Sequence, residues 1–445
     1  MRIVKYIFVM IVISVLLSLS GQSSAEQLGK RIVLENGMVL LLSEKREIPM
    51  VVVKVAIKAG STSAPVEKPG LASITASLIM QGTSKRTASQ ISKEIDFIGG
   101  SLSTSSGNDF AYAGLQVLKK DLSIGLDLLA DVLINPVFDQ EEIDRKVKAT
   151  LAEIQRQKDK PAVVANEAFE KEVFGKHPYG VVGDDVSAYL PKLARQDILE
   201  FHSLRYCPNN TIIAVVGDVN EKEIVGLLNE YFKPWLKKYQ PLPLVIQPPV
   251  INKSVIQIID KKITQANIAI GHLGISRENP DFYAVTVMNY ILGGGGFASR
   301  LVDNIRDNKG LAYDVHSFFS TQKETGSFKV TIQTKNESAH DVIAETLKEL
   351  IRMQKDLVSM KELADAKAYL TGSFPLRMDT YTKIADMLTS IEIFNLGLDY
   401  PQKYAALINA ITKDDIRRVA KKYLHPDKIV LVVVANREKV KLPVL

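Results

Sequence analysis

The sequence predicts an α+β protein made of two repeated halves. Runs typical of strands are grouped, and so are runs typical of helices, rather than alternating as β-α-β units. Residues 195–217 and 413–434 each contain an acidic helix start, a helix, a tyrosine, a proline and an apolar strand. This recurrence indicates an internal duplication. A chain of 445 residues also exceeds one ordinary domain of roughly 100–200 residues.

Strand and helix patterns follow the same order in both halves. The predicted strands are rich in β-branched residues and lie at 31–34, 39–43 and 51–59 in the first half, and at 254–259 and 266–271 in the second. A helix follows in each half, at 70–80 and 280–292. Hairpin strands come next, at 101–106 with 110–117 and at 313–321 with 326–334. Long helical patterns complete the halves, at 122–133, 140–157, 338–353 and 361–373.

These patterns divide the chain into a signal peptide at 1–25, an N-terminal domain at 28–236, a linker at 237–252 and a C-terminal domain at 253–440. The linker contains four prolines, which favour an extended spacer over regular structure. They are Pro241, Pro243, Pro248 and Pro249.

The first 25 residues are typical of a secretory signal peptide. Arg2 and Lys5 precede an apolar run at 6–19, and small residues lead to a cleavage position after Ala25. A retained membrane anchor is the alternative, but a spanning helix needs roughly 20 apolar residues. We therefore expect an exported protein, periplasmic or extracellular, with no stable membrane anchor after cleavage.

Charge and cysteine content exclude several classes of function. A formal net charge of +6, without a basic cluster interleaved with aromatic residues, gives no reason to expect nucleic acid binding. Cys207 is the only cysteine, so neither an intramolecular disulfide nor a multi-cysteine zinc site can form. We expect Cys207 to be buried.

Four consecutive glycines follow the predicted helix at 280–292: Gly293, Gly294, Gly295 and Gly296. Ordering such a run is entropically costly, so the position is expected to need backbone access or mobility. A plain flexible loop is the alternative. A phosphate-binding loop fits poorly, because no Gly-Lys-Ser/Thr follows.

A helix–turn–strand comes directly after the glycines. Ser299 is a candidate N-cap for a short helix at 300–308, Gly310 a candidate stop, and a strand is predicted at 311–319. Arg306 and Tyr313 bracket this unit, and both side chains carry hydrogen-bond donors. Aimed at one point, they can bind a peptide carbonyl and stabilise an oxyanion. Taken alone, the two residues are more typical of a surface arginine and a core tyrosine.

The segments around these residues, together with residues 70–83, resemble the insulinase/pitrilysin zinc metallopeptidases, the inverzincins. The family's zinc motif is H-x-x-E-H on a helix. In this chain the flanking Gly70 and Gly82-Thr83 match, but Ser73 and Ser77 stand at the histidine positions and Ala76 at that of the glutamate. The resemblance covers residues 28–440. It implies two homologous α/β halves, each a mixed sheet flanked by helices, forming a clamshell around a substrate cavity.

The resemblance also implies what this chain lacks. Two histidines one turn apart bind one zinc, and the glutamate polarises the metal-bound water. Serine hydroxyls are poor zinc ligands and Ala76 offers no base. The third family ligand, a glutamate on a later helix, corresponds to Glu153, which is here an ordinary helix carboxylate or a relic of ancestry. We therefore expect no metal in this chain and zinc in a partner subunit.

The histidines offer no obvious replacement for the missing site. None of the six pairs with another at helical spacing, and His177 is expected in a turn, although a non-sequential metal site stays open. The six are His177, His202, His272, His316, His340 and His425.

The leading hypothesis from the resemblance is a non-catalytic subunit of a heteromeric exported metallopeptidase. A partner with an intact H-x-x-E-H would supply zinc and base. This chain would supply Arg306 and Tyr313 for the substrate carbonyl, and Gly293, Gly294, Gly295 and Gly296 for contact with the peptide substrate. The alternative is a peptide-binding or structural scaffold with no proteolytic role. An autonomous hydrolase is disfavoured, because no G-x-S-x-G or convincing histidine–acid pair is present.

Overall fold

The computed structural model describes residues 27–238 and 246–443. It contains two mixed β-sheets flanked by helices, which confirms the α+β class. The predicted signal peptide and part of the proline-rich linker lie outside the described residues. The described part of the linker, residues 246–252, forms neither helix nor strand.

The first sheet belongs to the first half. Its six strands are β1 Lys30–Val33, β2 Val39–Glu44, β3 Met50–Ile57, β4 Ser101–Ser106, β5 Ala111–Leu118 and β6 Thr211–Gly217. Their order is β1-β2-β6-β3-β5-β4, with β6 parallel to β2 and antiparallel to β3.

The second sheet repeats this arrangement. Its five strands are β7 Val255–Asp260, β8 Gln265–Leu273, β9 Ala312–Ser320, β10 Ser327–Lys335 and β11 Val430–Ala435. Their order is β7-β11-β8-β10-β9, with β11 parallel to β7 and antiparallel to β8. In both halves the last strand lies between two earlier strands: β6 lies between β2 and β3, and β11 lies between β7 and β8. Every residue of β6 and β11 is buried, as expected for apolar strands covered on both faces. The predicted duplication is therefore confirmed.

The helices occur where the patterns predicted them, with additional ones between. Those of the first half are α1 Leu71–Leu78, α2 Ala88–Phe97, α3 Leu122–Ile134, α4 Gln140–Gln157, α5 Pro161–Phe174, α6 Gly183–Tyr189, α7 Arg195–Arg205 and α8 Glu221–Tyr231. Those of the second half are α9 Phe282–Asn289, α10 Ala339–Lys355, α11 Met360–Gly372, α12 Tyr381–Ile393, α13 Tyr400–Asn409 and α14 Lys413–Tyr423. No described helix is long and apolar enough to cross a bilayer.

Two helices, α5 and α12, each cover the sheet of the other half. Phe169 of α5 packs with Ala269 and Val432 of the second sheet, and Leu388 of α12 packs with Val52 and other residues of the first. Phe169 and Leu388 are fully buried. Neither helix is among the predicted ones. The proline at the first position of α5 is a local start signal, but which sheet a helix covers depends on tertiary structure.

Polar contacts reinforce this exchange. The Tyr179 hydroxyl of the first half donates to Asp109 Oδ1 at 2.8 Å and accepts from the amide of Glu324 in the second half at 3.2 Å. The Lys329 ammonium of β10 is 2% exposed and donates to Glu170 Oε1 of α5 at 2.6 Å. The two halves are thus in direct contact.

Candidate functional site

The helix at the degenerate zinc motif is α1. Ser73 is exposed and Ser77 is half-buried on the same face, where the Ser77 hydroxyl donates to the Ile74 carbonyl at 2.8 Å. Ala76 is 1% exposed and belongs to the first core. The motif positions therefore carry two hydroxyls and a core methyl group, with no metal-binding nitrogen or carboxylate.

Glu153 lies on α4, a helix that packs against α1. Its carboxylate accepts hydrogen bonds from Arg156 and Gln157 of its own helix. Within residues 27–238 and 246–443, no group of three or more His, Cys, Asp or Glu side chains could hold a metal ion. This donor set does not fit the zinc that the family motif binds.

The histidines contact carbonyls, amides and other rings. His177 accepts from the Tyr179 amide at 3.1 Å and caps the turn Pro178–Gly180, as expected of a turn residue. His272 and His425 form the closest histidine pair, with ring centroids 4.9 Å apart, but the His272 ring nitrogens are already engaged by the Leu273 carbonyl and the His425 amide. Cys207 is buried as expected, and burial raises the pKa of its thiol.

The glycine run forms a compact turn in which each glycine has a structural reason. Helix α9 widens into a π-helical turn, Tyr290–Gly294, followed by a 3-10 turn, Gly296–Ala298. A Cβ at Gly293 would lie 2.6 Å from Ser317 Oγ, and one at Gly295 would lie 2.9 Å from Tyr290 Cε1. Gly296 has φ +57°, and a Cβ there would meet open space. The run is thus needed for close packing against β9 and Tyr290 as well as for a left-handed residue at the exposed tip.

Side-chain hydrogen bonds fix this turn to β9. Asn289 Nδ2 donates to the Ser317 carbonyl at 3.1 Å, and Ser317 Oγ donates to Asn289 Oδ1 at 2.8 Å. Ser299 occupies the predicted N-cap position with extended backbone, but its hydroxyl does not cap the helix, because it donates backwards to the Gly296 carbonyl at 2.6 Å. Ser299 therefore closes the glycine turn, and only its carbonyl serves the helix, accepting from the Asp303 amide at 3.0 Å.

The helix that carries Arg306 has the predicted extent but an unusual geometry. It begins at Arg300 and is π-helical over Val302–Asn308, a conformation that is rare and frequent at functional sites. Gly310 ends it with φ +60°. The Gly310 amide donates to the Arg306 carbonyl at 3.0 Å, which is the bond of an αL cap, and the Leu311 amide reaches back to the Ile305 carbonyl at 2.9 Å.

Strand β9 starts with a β-bulge at Tyr313. Ala312 pairs with Thr334 and Asp314 with Gln333, so Tyr313 is the extra residue. Regular alternation would place Tyr313 on the same face as Val315, which is 1% exposed. With the bulge, Ala312 is the buried residue and Tyr313 is 75% exposed. The bulge therefore turns a side chain that would have joined the core towards solvent.

The π-helical segment, the glycine cap and the β-bulge bring Arg306 and Tyr313 together. The Arg306 guanidinium carbon lies 5.4 Å from the centroid of the Tyr313 ring and 4.7 Å from that of Phe297. Phe297, from the tip of the glycine turn, is 72% exposed. Phe297 was not identified from the sequence, because its contact with Arg306 arises only when the turn folds back over the helix. Stacking of this kind orients a guanidinium and leaves its N–H groups available.

The donors of this cluster have no acceptor in the described part of the chain. Neither the Arg306 guanidinium nor the Tyr313 hydroxyl forms a hydrogen bond there. Arg306 is half-buried and Tyr313 is exposed, and two adjacent unused donors of this kind can bind a carbonyl or carboxylate oxygen supplied by another molecule.

A buried ion pair anchors the cluster to α11. Arg300 is 8% exposed and binds Glu362 bidentately, at 2.6 Å to Oε1 and 3.1 Å to Oε2. Burial alone would raise the pKa of Glu362, but hydrogen bonds from Arg300 and Ser359 lower it to about 2. The hydrogen bonds between Asn289 and Ser317 and the ion pair between Arg300 and Glu362 therefore hold the glycine turn and the Arg306 helix against the second core.

Comparisons with family models agree with this geometry. Residues 39–181 match the family described as insulinase (peptidase family M16), and residues 192–370 match the peptidase M16 inactive domain. The chain belongs to the insulinase family. Its second half, with the glycine turn, Arg306 and Tyr313, lies mostly within the inactive-domain match.

Similar proteins are spread over several bacteria. An uncharacterized zinc protease of Rickettsia felis is 28% identical over 393 residues, spanning 87% of this chain and 93% of the relative. Another, from Streptomyces coelicolor, is 28% identical over 359 residues, spanning 78% and 76%. The words zinc protease describe those relatives, whereas this chain has Ser73, Ala76 and Ser77 at the motif positions.

Solved structures share the whole fold. A peptidase M16 inactive domain from Pseudomonas fluorescens superposes with a TM-score of 0.86 at 27% identity and covers 93% of this chain and 99% of that one. A protease from Helicobacter pylori gives a TM-score of 0.85 at 21% identity, covering 92% and 100%, a likeness that shows the fold alone.

Proposed function

We propose that this chain is the substrate-binding, non-catalytic subunit of an exported insulinase-family zinc metallopeptidase, periplasmic or extracellular. A partner chain with an intact H-x-x-E-H supplies zinc and the general base. This chain supplies Arg306 and Tyr313, which hold the carbonyl of the peptide bond to be cleaved, and the glycine turn, along which the peptide lies.

The observation that carries the proposal is the pair of unused donors held at the surface. Arg306 and Tyr313 are presented by a π-helical segment, a glycine cap and a β-bulge, features that a pure scaffold would have no reason to keep. The first half lacks the ligands to bind zinc, so an oxyanion at these donors requires a metal site from another chain. An active site split between two subunits would explain why the first half lacks zinc ligands while the second half keeps oxyanion donors.

The packing of α5 and α12 between the halves supports a second subunit as well. Each sheet is covered by a helix of the other half, and we infer from this that a further chain completes the substrate chamber. Membership in a family with an inactive domain is consistent with such a heterodimer.

The test is a peptidase assay with a quenched peptide library. The mature chain, its nearest H-x-x-E-H relative from the same genome and a mixture of both are assayed separately. We expect activity to rise at least tenfold in the mixture over the sum of the separate proteins. No gain on mixing would contradict the proposal and favour a peptide-binding scaffold.

A matched pair of tyrosine variants sharpens the assay. Tyr313→Phe removes one hydroxyl and keeps the ring that contacts Arg306, so we expect the activity of the mixture to fall by about tenfold or more. Tyr231→Phe removes a hydroxyl that contacts only Ser123 in the first half, and should leave activity unchanged. Equal activity of both variants would exclude the Tyr313 hydroxyl from the reaction.

A further inference from the structure

A second aromatic pair lies beside the glycine turn. The rings of Tyr290 and Tyr369 are 4.9 Å apart between centroids, with an interplanar angle of 31°. Tyr290 is the first residue of the π-helical turn, and Tyr369 comes from α11. Tyr369 is 58% exposed, an unusual position for a large ring that is not packed into a core.

The pair is continuous with the candidate site. The Tyr290 ring lies directly against the backbone of Gly295, where an added Cβ would come within 2.9 Å of it. Phe297, from the same turn, contacts Arg306. The turn therefore adjoins two aromatic clusters.

Part of the backbone of the glycine turn is exposed. Gly294 and Gly296 reach solvent and carry no side chain that would keep a ligand away from the main chain. Exposed backbone of this kind can exchange hydrogen bonds with a peptide. A peptide that crosses the turn would place neighbouring side chains towards the two aromatic clusters.

The electrostatic surroundings restrict which side chain fits. Burial, the Tyr369 hydroxyl and the Asp365 carboxylate together raise the pKa of Tyr290, so an anionic group is disfavoured at this position. Asp365 is itself paired with Lys361 at 2.6 Å. An apolar or aromatic side chain pays no such electrostatic penalty and gains contact with the Tyr369 ring.

We propose that Tyr290 and Tyr369 form a subsite for one large apolar or aromatic side chain of a peptide whose backbone lies across Gly294–Gly296. The inference rests on the proposed function and deepens it by naming a substrate class: peptides with such a residue close to the carbonyl held by Arg306 and Tyr313. Tyr369 supplies the exposed ring, and Tyr290 links that ring to the turn.

The experiment measures binding by the mature chain alone, without the partner. The probes are three fluorescein-labelled octapeptides of glycine, serine and alanine that differ only at one central residue, Phe, Ala or Glu. Fluorescence anisotropy should give a Kd for the Phe peptide about tenfold lower than for the Ala peptide. The Glu peptide should bind most weakly.

Variants assign the preference to the pair. Tyr369→Ala should bring the Phe and Ala peptides to within about twofold of each other, whereas Tyr369→Phe should keep the preference because the ring remains. Phe97→Ala, which removes a 91% exposed ring of the first half, is the control and should bind like the wild type.

The outcomes separate this inference from the proposed function. Equal binding of the Phe and Ala peptides would overturn the subsite, while peptide binding, and with it the proposed function, would stand. Binding of none of the three would overturn the subsite, and the mixed-subunit assay would then decide the proposed function independently. If Tyr369→Ala weakens assembly with the partner but keeps the Phe preference, the surface is a subunit contact and the subsite is overturned.

Discussion

The two halves share one strand order, yet the helix that follows the first strands has opposite properties in each. In the first half, α1 turns Ala76 into the core and its remaining motif positions carry only hydroxyls. In the second half, the equivalent helix, α9, runs into a glycine turn that holds Phe297 and Arg306 beside an exposed Tyr313. In the first half the motif helix serves only to pack the core, whereas the second half presents hydrogen-bond donors at its surface.

The difference lies in local backbone geometry rather than in the sheets. A π-helical segment, a bulge and a left-handed glycine are each less favourable than regular structure. All three occur within a few residues of Arg306 in the second half. Their concentration at one place is the reason why the proposed binding role falls to the second half.

The largest expected effect tests whether the halves are independent. Phe169→Ala should lower the free energy of unfolding by about 3–5 kcal/mol, because the ring is fully buried between α5 and the second sheet. Since α5 belongs to the first half, urea unfolding followed by tryptophan fluorescence and circular dichroism should still show one transition. Two separated transitions would mean that the halves fold independently. Phe97→Ala, at an exposed ring, should change stability by less than about 0.5 kcal/mol.

A second substitution tests whether the motif position Ala76 is now part of the hydrophobic core. Ala76→Glu restores the family's catalytic glutamate at a site that is 1% exposed, so it should destabilise the protein by about 3 kcal/mol or more. Ala364→Glu, at an exposed position of α11, is the matched control and should cost little. Equal unfolding midpoints for the two variants would show that position 76 is open to solvent.

A third comparison uses a buried histidine of the second half. Burial lowers the pKa of His272 to about 4, below the value of about 6.5 expected in the unfolded chain. The unfolded state therefore binds the proton first, and the stability contributed by neutral His272 is complete above pH 6.5 and is lost as the pH falls towards 4.

Between pH 7.5 and 5 this loss should amount to about 2 kcal/mol in urea unfolding. His272→Gln should be less stable than the wild type at pH 7.5 but should lose less on acidification. His340→Gln, at an exposed histidine, should keep the wild-type pH dependence. If His272→Gln also kept it, another group would account for the acid sensitivity.

The smallest expected effect concerns the cap that precedes Tyr313. Gly310 has φ +60° with open space at its Cβ position, so Gly310→Ala should cost about 1 kcal/mol through backbone strain alone. Gly226→Ala is the control, because Gly226 lies in α8 with a negative φ and equally open space. It should be neutral or slightly stabilising in thermal unfolding. A larger loss at Gly226 than at Gly310 would contradict this view of the cap.

Local patterns predicted most of the elements. The strands of both sheets, the long helix α4 and the stop at Gly310 follow from alternation, helical periodicity and glycine placement, which are encoded by neighbouring residues. The loss of the zinc motif at Ser73, Ala76 and Ser77 is equally local, because the three positions lie within five consecutive residues.

Features that depend on distant residues were not predictable in this way. Helix α12 contacts both cores, with Ile391 in one and Leu388 in the other, so its apolar residues do not form a single stripe. The bulge at Tyr313 depends on pairing with β10, and the stacking of Phe297 on Arg306 depends on the fold of the turn. The hydrogen bond of the Ser299 hydroxyl was not predictable either, because a serine before a helix can donate backwards as well as cap forwards.

The most direct measurement is the kcat/KM of the mixed two-subunit peptidase with Arg306→Ala in this chain. An oxyanion donor acts mainly in the transition state, so we predict a fall of about 10²- to 10³-fold, carried mostly by kcat, with wild-type assembly and stability. Arg417→Ala, which removes a half-buried guanidinium paired only with Asp414, should leave kcat/KM unchanged. An Arg306→Ala mixture as active as the Arg417→Ala mixture would contradict the division of roles between the two halves.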